Sequence, residues 1–379
     1  MTSTAFDVAI IGAGIVGAAC VAEAVREGLS VVVIESRIIA GGATAAGMGH
    51  IVVMDDSEGQ FALTRYSQEL WNELAPELPR DCEFERCGTI WVAADEAEMA
   101  TVRSKRDFYE ARGVTVEILD EHDLAKAEPN LREGLAGGLR MPGDSVLYPP
   151  CAARFLLEKA TNHRTRPAAL RVGQPVSEIT KQGVKLRDGS FIPAAITVNA
   201  TGSWSPQLTP GLNVQPRKGH LVITDRYPAF IRHQLIELGY LKSAHAVQAD
   251  SVAFNIQPRQ TGQLLIGSSR QYGATSAQVD TQILGRMIDR ARLYMPRLGE
   301  LNAVRTWTGF RAATPDKLPL IGPCAGNHWH YLATGHEGLG ITTSLGTAKL
   351  LVDQIINRTS EIPLTPYLPG RLAAETAHA

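Results

Sequence analysis

Residues 8–36, VAIIGAGIVGAACVAEAVREGLSVVVIES, decide the fold. The apolar run Val8–Ile11 enters Gly12-Ala13-Gly14-Ile15-Val16-Gly17, a helical pattern follows as far as Gly28, and a second apolar run, Val31–Ile34, delivers Glu35. The order reads strand, tight turn, helix, strand. Glycines permit the turn and a close backbone approach to a pyrophosphate, the helix amino terminus offers unpaired N–H groups to it, and Glu35 stands where a ribose hydroxyl needs an acceptor. A dinucleotide is the expected ligand. NAD and FAD share their ADP half, so this stretch alone does not choose between them.

Working outward, 379 residues exceed what one core of roughly 250–300 residues supports. A nucleotide domain and a partner domain are expected. Lys and Arg number 37 against 39 Asp and Glu, a net charge of -2, which gives no field for nucleic acid or an anionic membrane. The five cysteines are odd in number and scattered, which suits free thiols in a reducing, cytoplasmic setting better than a disulfide framework. Cys82 and Cys87 fall short of the four ligands of a structural zinc site, so no metal is expected. The apolar stretch Val8–Val25 is interrupted by glycines, lacks a basic leader and runs into Glu23, Arg26 and Glu27, so it reads as strand and helix rather than as a signal or membrane span.

Farther along, the small-residue loop GGATAAGMGH (41–50) precedes a helical pattern through residues 61–78. Next come the strand CGTIWVAA (87–94), a helix opened by Asp95 and closed near Gly113, and the strand VTVEIL (114–119). A helix follows in CAARFLLEKA (151–160), two short strands flank Gly183, and the apolar strand AAITVNATGSW (194–204), which should lie beside the first strand, runs into a glycine turn. Residues 216–273 alternate apolar and polar positions between glycines and prolines, the pattern of an antiparallel sheet, and TQILGRMIDRARLYMP (281–296) is a helix. No internal repeat or long linker is present, so the two domains interleave.

WHYLATGHEGLGITTSLGTAKLLVDQII (329–356) again runs from strand through glycines into a helix. A second glycine-framed helix amino terminus suits a flavin, whose N1–C2=O edge gains negative charge on reduction and is stabilised by a helix dipole. That favours FAD.

The ordered set IIGAGIVG with Glu35, the AAGM loop, LAKAEPNL, VNATGSWSP, PRKGH, PRQTGQLLIGSS, WTGFRAATPDKLPLIG and ATGHEGLGITTSLGTAKLL resembles the D-amino-acid oxidase and glycine oxidase family of FAD enzymes nearly from end to end. Within it, GHIVVMDDSEGQFALTRYSQELW is similar to the flavin subunits of D-hydroxyproline dehydrogenases and opine oxidases. The resemblance implies an α/β Rossmann-like FAD-binding domain of the glutathione-reductase type (residues 1–84, 148–215 and 309–379) interleaved with an α+β substrate domain on an antiparallel sheet (85–147 and 216–308).

It also implies roles for residues. Gly12, Gly14 and Gly17 would hold the pyrophosphate, with Ile15 and Val16 beginning the helix between them; Glu35, followed by Ser36 and Arg37, would take the ribose; Val176 would pair its backbone with the adenine. The loop bearing Ala43, Thr44, Gly47, Met48 and Gly49 would pass the ring and pyrophosphate. Ala200, Thr201 and Gly202 belong to the second nucleotide-contacting turn. The run Gly335, His336, Glu337, Gly338, Leu339, Gly340, Ile341 and Thr342 would face the pyrimidine edge. Arg311 would clamp a substrate α-carboxylate, a bidentate geometry that Lys does not copy, although an interdomain salt bridge is its alternative. His50 and His336 would stand near the ring, as catalytic or as structural histidines, and Tyr240 would be a lid. FRAATPD has no cysteine and the amino-terminal loop lacks the histidine by which some relatives attach FAD covalently, so non-covalent FAD is expected. Tyr148 replaces the Asp or Asn that many relatives carry before this proline, which should reshape the pocket.

The implied reaction is oxidation of the Cα–N bond of a small amino or imino acid, D-proline or D-hydroxyproline in kind. Electrons would pass to a partner subunit, iron–sulfur or flavin, or to a quinone at the inner membrane surface. A stand-alone oxidase using oxygen, an opine oxidase subunit and a catalytically idle flavin-binding subunit are the alternatives, and a homo-oligomer is open.

Overall fold

A computed structural model of the chain describes residues 5–239 and 250–372. The opening motif forms β1 (Phe6–Ile11), α1 (Ile15–Arg26) and β2 (Val31–Glu35). Val8, Ala9 and Ile10 are buried on both faces of the sheet, the pattern of a parallel strand covered on each side. α1 ends where Gly28 turns to a φ of 84°, a backbone that a side chain disfavours. Its start is pressed onto the strand: a Cβ on Gly17 would collide with the Gly12 carbonyl oxygen, so only glycine allows this helix to sit so close.

β1 lies between β2 and the strand Phe191–Asn199, parallel to both, in the register Val8↔Val31 and Val8↔Ile196. The placing of the 194–204 run beside the first strand is borne out. Outward from these, the sheet continues through His330–Thr334 to Leu320–Pro323 on one side and to Ala169–Val172 on the other. The hairpin Val176–Thr180 and Gly183–Leu186 hangs from Phe191–Asn199. α1 packs between the helices Pro149–Thr161 and Ser344–Ile355, closing the largest core around Ile10, Val33, Leu156 and Leu351.

The second sheet runs, in spatial order, His336–Glu337, Ala303–Ala313, Gln215–Thr224, Leu264–Arg270, Ser251–Pro258, Gln234–Glu237, Thr89–Ala93, Gly137–Met141 and Glu117–Asp120. Among the described residues its pairs are antiparallel except one: Gln234–Glu237 runs parallel to Thr89–Ala93. That parallel pair departs from the expected antiparallel sheet because these strands come from distant segments with no hairpin to orient them. The 114–119 run is trimmed to Glu117–Asp120. The helix Glu96–Glu110 has Asp95 as its cap, accepting from Glu98 N at 2.9 Å, and Thr281–Tyr294 covers the sheet over Phe254 and Ile266.

The two sheets meet at one residue. Gly335, with a φ of 79°, separates the last parallel strand of the first sheet from His336–Glu337 of the second, and a Cβ there would come within 2.6 Å of Thr314 Cγ2. The cysteines are all free. Among the described residues no cluster of His, Cys, Asp and Glu could hold a metal, and no helix is long and apolar enough to cross a membrane.

Candidate active site

A cavity of about 670 Å³ lies between the sheets. Its nucleotide portion gathers Glu35, Ser36, Arg37 and Val176 with Gly12, Gly14, Ile15, Val16, Ala43, Thr44, Ala200, Thr201 and Gly202. Gly12 has a φ of 103°, and a Cβ on it would approach the Ala200 carbonyl oxygen to 2.7 Å, so the turn closes against the neighbouring strand only as glycine. α1 begins at Gly14 with no side-chain cap, which leaves first-turn N–H groups for an incoming anion. One is taken, since Ile15 N donates to Thr44 Oγ1 at 2.9 Å and so ties the 41–50 loop to the helix start. The Glu35 carboxylate is fixed by Ala13 N and Arg37 N, each at 2.9 Å. Thr201 donates to Asn199 Oδ1 at 2.7 Å, and the position of a Cβ on Gly202 is open space. A glycine turn, an uncapped helix start and an anchored carboxylate at the strand tip together suit the ADP half of FAD.

The other portion gathers Gly47, Met48, Gly49, His50, Arg311, His336, Glu337, Gly338, Leu339, Gly340 and Ile341. Arg311 faces Arg217 across the strand pair, and its Nη1 donates to Ser269 O at 3.0 Å. Its guanidinium crosses the neighbouring strand at Gly219, where a Cβ would lie 2.5 Å from Nη1 and 2.9 Å from Cζ. Gly219 is thus the residue that lets Arg311 reach the cavity. Glu337 adopts a left-handed backbone, φ 50°, and pairs its carboxylate with Arg217.

The two histidines differ. His336 is buried, bonds through Nε2 to Thr347 Oγ1 at 2.9 Å, and is pushed down by burial to about 3, so it is neutral and locked in the fold. His50 is pushed down to about 4 by burial and, secondarily, by the Arg311 charge, while Gln234 beside it works in the opposite direction. Gly17, Gly335 and Thr342 do not line the cavity. The first two set backbone approaches, and Thr342 donates to the His50 carbonyl at 2.8 Å, holding that loop. Tyr240 lies outside the described residues. Tyr148 does not reshape the pocket as expected: it stands outside the lining, with the Arg259 guanidinium over its ring at 4.4 Å.

Trp91, Gln234, Asn255 and Arg270 also line this portion and escaped the sequence reading. The available signal was Gln234 and Asn255 themselves, amides set into the otherwise apolar strand runs QLI and VAFNI.

The family model for FAD dependent oxidoreductases (DAO) matches residues 7–354, and the chain belongs to that family. It is therefore an FAD-dependent enzyme acting on amine donors. Among particular relatives, it is 27% identical to the hydrogen cyanide synthase subunit HcnC of Pseudomonas aeruginosa, covering 98% of this chain and 97% of that one. The crystal structure of glycine oxidase from Geobacillus kaustophilus superposes with a TM-score of 0.87 at 25% identity, covering 97% of this chain and 99% of that one. L-proline dehydrogenase from P. horikoshii shares the fold with a TM-score of 0.87 at 23% identity, over 98% and 99% of the two chains.

Proposed function

We propose that the protein is a dehydrogenase that oxidises the Cα–N bond of a small D-amino or imino acid, of the D-proline and D-hydroxyproline kind, to the imine, and passes the electrons to a partner subunit or a quinone. The observation that carries this reading is Arg311, steered over Gly219 into the cavity that also holds the dinucleotide turn. There its guanidinium would clamp the α-carboxylate through two parallel hydrogen bonds and fix the orientation of Cα–H. FAD, when bound, supplies the two-electron acceptor. The substrate nitrogen closes the C=N bond with its lone pair as Cα–H departs with its electron pair, and the nitrogen releases a proton. No protein base is required in this scheme, which agrees with two cavity histidines held neutral. Residues 1–84, 148–215 and 309–379 would carry the cofactor, and residues 85–147 and 216–308 the substrate side.

HcnC, named as a subunit, supports an electron partner, and the likeness to a glycine oxidase supports the second reading, an enzyme that reduces oxygen alone. Anaerobic bleaching of the flavin by D-proline, the hydroxyprolines, D-alanine, glycine, sarcosine and opines tests the substrate class. Bleaching by D-proline or a hydroxyproline is expected, and a spectrum unchanged by all of them overturns the reading. Hydrogen peroxide release in air from the isolated chain would replace the dehydrogenase by the oxidase.

A further inference from the structure

The two strands that Arg311 crosses interrupt their own ladder. Lys218 N donates to Gln271 O at 3.1 Å and Gln271 N to Lys218 O at 2.9 Å, a hydrogen-bonded antiparallel pair. Such pairs recur at every second residue, so His220 with Ser269 should be the next. That pair is absent from the register, which resumes only at Val222↔Ile266. Residues 267–270 therefore oppose 219–221, one more on the first strand than on the second. An extra residue of this kind is a bulge, which re-aims a group without ending the strand. Here His220 N donates to Ser269 Oγ at 2.9 Å, and the Ser269 carbonyl accepts from Arg311 Nη1 at 3.0 Å.

Within the fold this exchange sets one hydrogen bond in place of another. Its effect falls on Arg311. Ser269 is 1% exposed and lies outside the cavity lining, so its carbonyl is a fixed point. A bond from that point to a planar guanidinium sets the plane in which the group crosses Gly219, and with it the direction of the donors it presents to the cavity.

The serine hydroxyl is itself held. The enclosed His220 ring bonds Ser269 Oγ through Nδ1 at 2.9 Å and accepts from Asp280 N through Nε2 at 3.0 Å. A backbone N–H only donates, so Nε2 carries no proton and the neutral ring donates from Nδ1 to the hydroxyl. Burial, with the Lys218 and Arg311 charges, holds His220 below the usual histidine range against the opposing pull of Asp280. Asp280 in turn caps the helix Thr281–Tyr294. The ring thus ties the serine to the start of that helix.

We propose that Ser269 and His220 are positioning residues for the substrate carboxylate: the serine hydroxyl takes up the ladder amide, its carbonyl is turned to aim the Arg311 guanidinium, and the His220 ring locks the hydroxyl. The inference rests on the reading of Arg311 given above. It is tested on the holoenzyme by anaerobic flavin reduction with the fastest acid of the panel above and with its decarboxylated amine, pyrrolidine in the case of D-proline. Ser269→Ala should slow reduction by the acid on the order of tenfold, the scale of one hydrogen bond to a charged group, while reduction by the amine and FAD content are kept. His220→Leu should shift the ratio of acid to amine in the same direction, and His220→Asn, which keeps a donor near the place of Nδ1, should recover most of that loss. In an Arg311→Ala background Ser269→Ala should change nothing further, because the two act as one unit. An acid rate unchanged by Ser269→Ala, equal losses toward acid and amine, no recovery in His220→Asn, a full additional loss in the double variant, or shedding of FAD by both Ser269→Ala and His220→Leu overturns the inference and leaves the proposed reaction standing. If Arg311→Ala leaves the gap between acid and amine unchanged, or no acid of the panel reduces the flavin, the reading of Arg311 falls and this inference with it.

Discussion

Arg311 and Gly219 form a pair in which the smaller partner is the sharper probe. A methyl group on Gly219 displaces the guanidinium without removing its charge, because the atoms it would strike are the far end of a flexible side chain. Gly219→Ala should therefore lower kcat/KM while FAD content stays at the parental level. Arg311→Ala should cost roughly 2–5 kcal/mol in kcat/KM, and Arg311→Lys should already be damaging, since a point charge does not make two parallel bonds. Rates of anaerobic reduction by D-proline and by pyrrolidine check this: a clamp predicts that Arg311→Ala narrows the gap between acid and amine, whereas equal losses toward both would make Arg311 a structural residue. At Glu35 the carboxylate holds Ala13 N and Arg37 N, so Glu35→Ala should shed FAD, by about 1–3 kcal/mol of binding, and Glu35→Gln should retain more of it. Ultrafiltration followed by the visible spectrum measures both, and equal retention by the two variants would contradict it. Glu35 and Arg311 were legible because each sits at a short fixed distance from a recognisable tract. Gln234 and Asn255 were not, because what makes an amide meaningful is the space it faces, and that space is enclosed by strands from elsewhere in the chain.

Elements with their own punctuation were read well. α1 has glycine at both ends, Glu96–Glu110 has its Asp95 cap, and Thr281–Tyr294 has an Asp280 cap bonded to Gln282 N and Ile283 N. Ala169–Val172 and Gln234–Glu237 carried no comparable signal: each is only four residues long, and tertiary pairing rather than local pattern makes it a strand. The contact of α1 with its own strand yields a prediction at this scale. Gly17→Ala places a methyl group against backbone that has nowhere to go, so helix and strand must separate, at an overpacking cost of about 1–3 kcal/mol, and the turn at Gly12 opens with them. The thermal midpoint and the ratio of flavin to protein absorbance should fall together; a lower midpoint with full flavin would mean that the helix start does not govern the nucleotide.

Over the whole molecule, four groups in the described residues tie the response to acid to burial. His50, His330 and His336 are held down to about 4, about 4 and about 3 by burial, while burial raises Asp144 to about 7 against hydrogen bonds from Gln68 and Val53. Between about pH 4 and 6.5 the unfolded chain takes three protons at these histidines that the native chain refuses, with His220 lowered in the same direction by burial, and the native chain keeps one, on Asp144, that the unfolded chain releases. Stability should therefore climb with pH through that window, by up to about 2–3 kcal/mol per unit, and Asp144→Asn should stabilise more at pH 8 than at pH 5. Urea unfolding at pH 4.5, 5.5, 6.5 and 8 decides it, and a flat profile would refute the assignment of these charges. The opening unit of the architecture, β1, α1 and β2, was legible because strand, helix and strand follow in order. The neighbours of β1 were partly legible, from the apolar 194–204 run, while the attachment of His330–Thr334 beyond Asn199 depends on a pairing across more than a hundred residues. That attachment has a consequence for how the protein is made. The crevice needs Leu332 beside Asn199, so at about 5–20 residues per second the ribosome works for roughly 7–27 s between making the one and the other. During that interval the glycine turn and β1 exist without the strand that extends their sheet, and loading of the yellow cofactor waits for a segment made long after the turn that receives it.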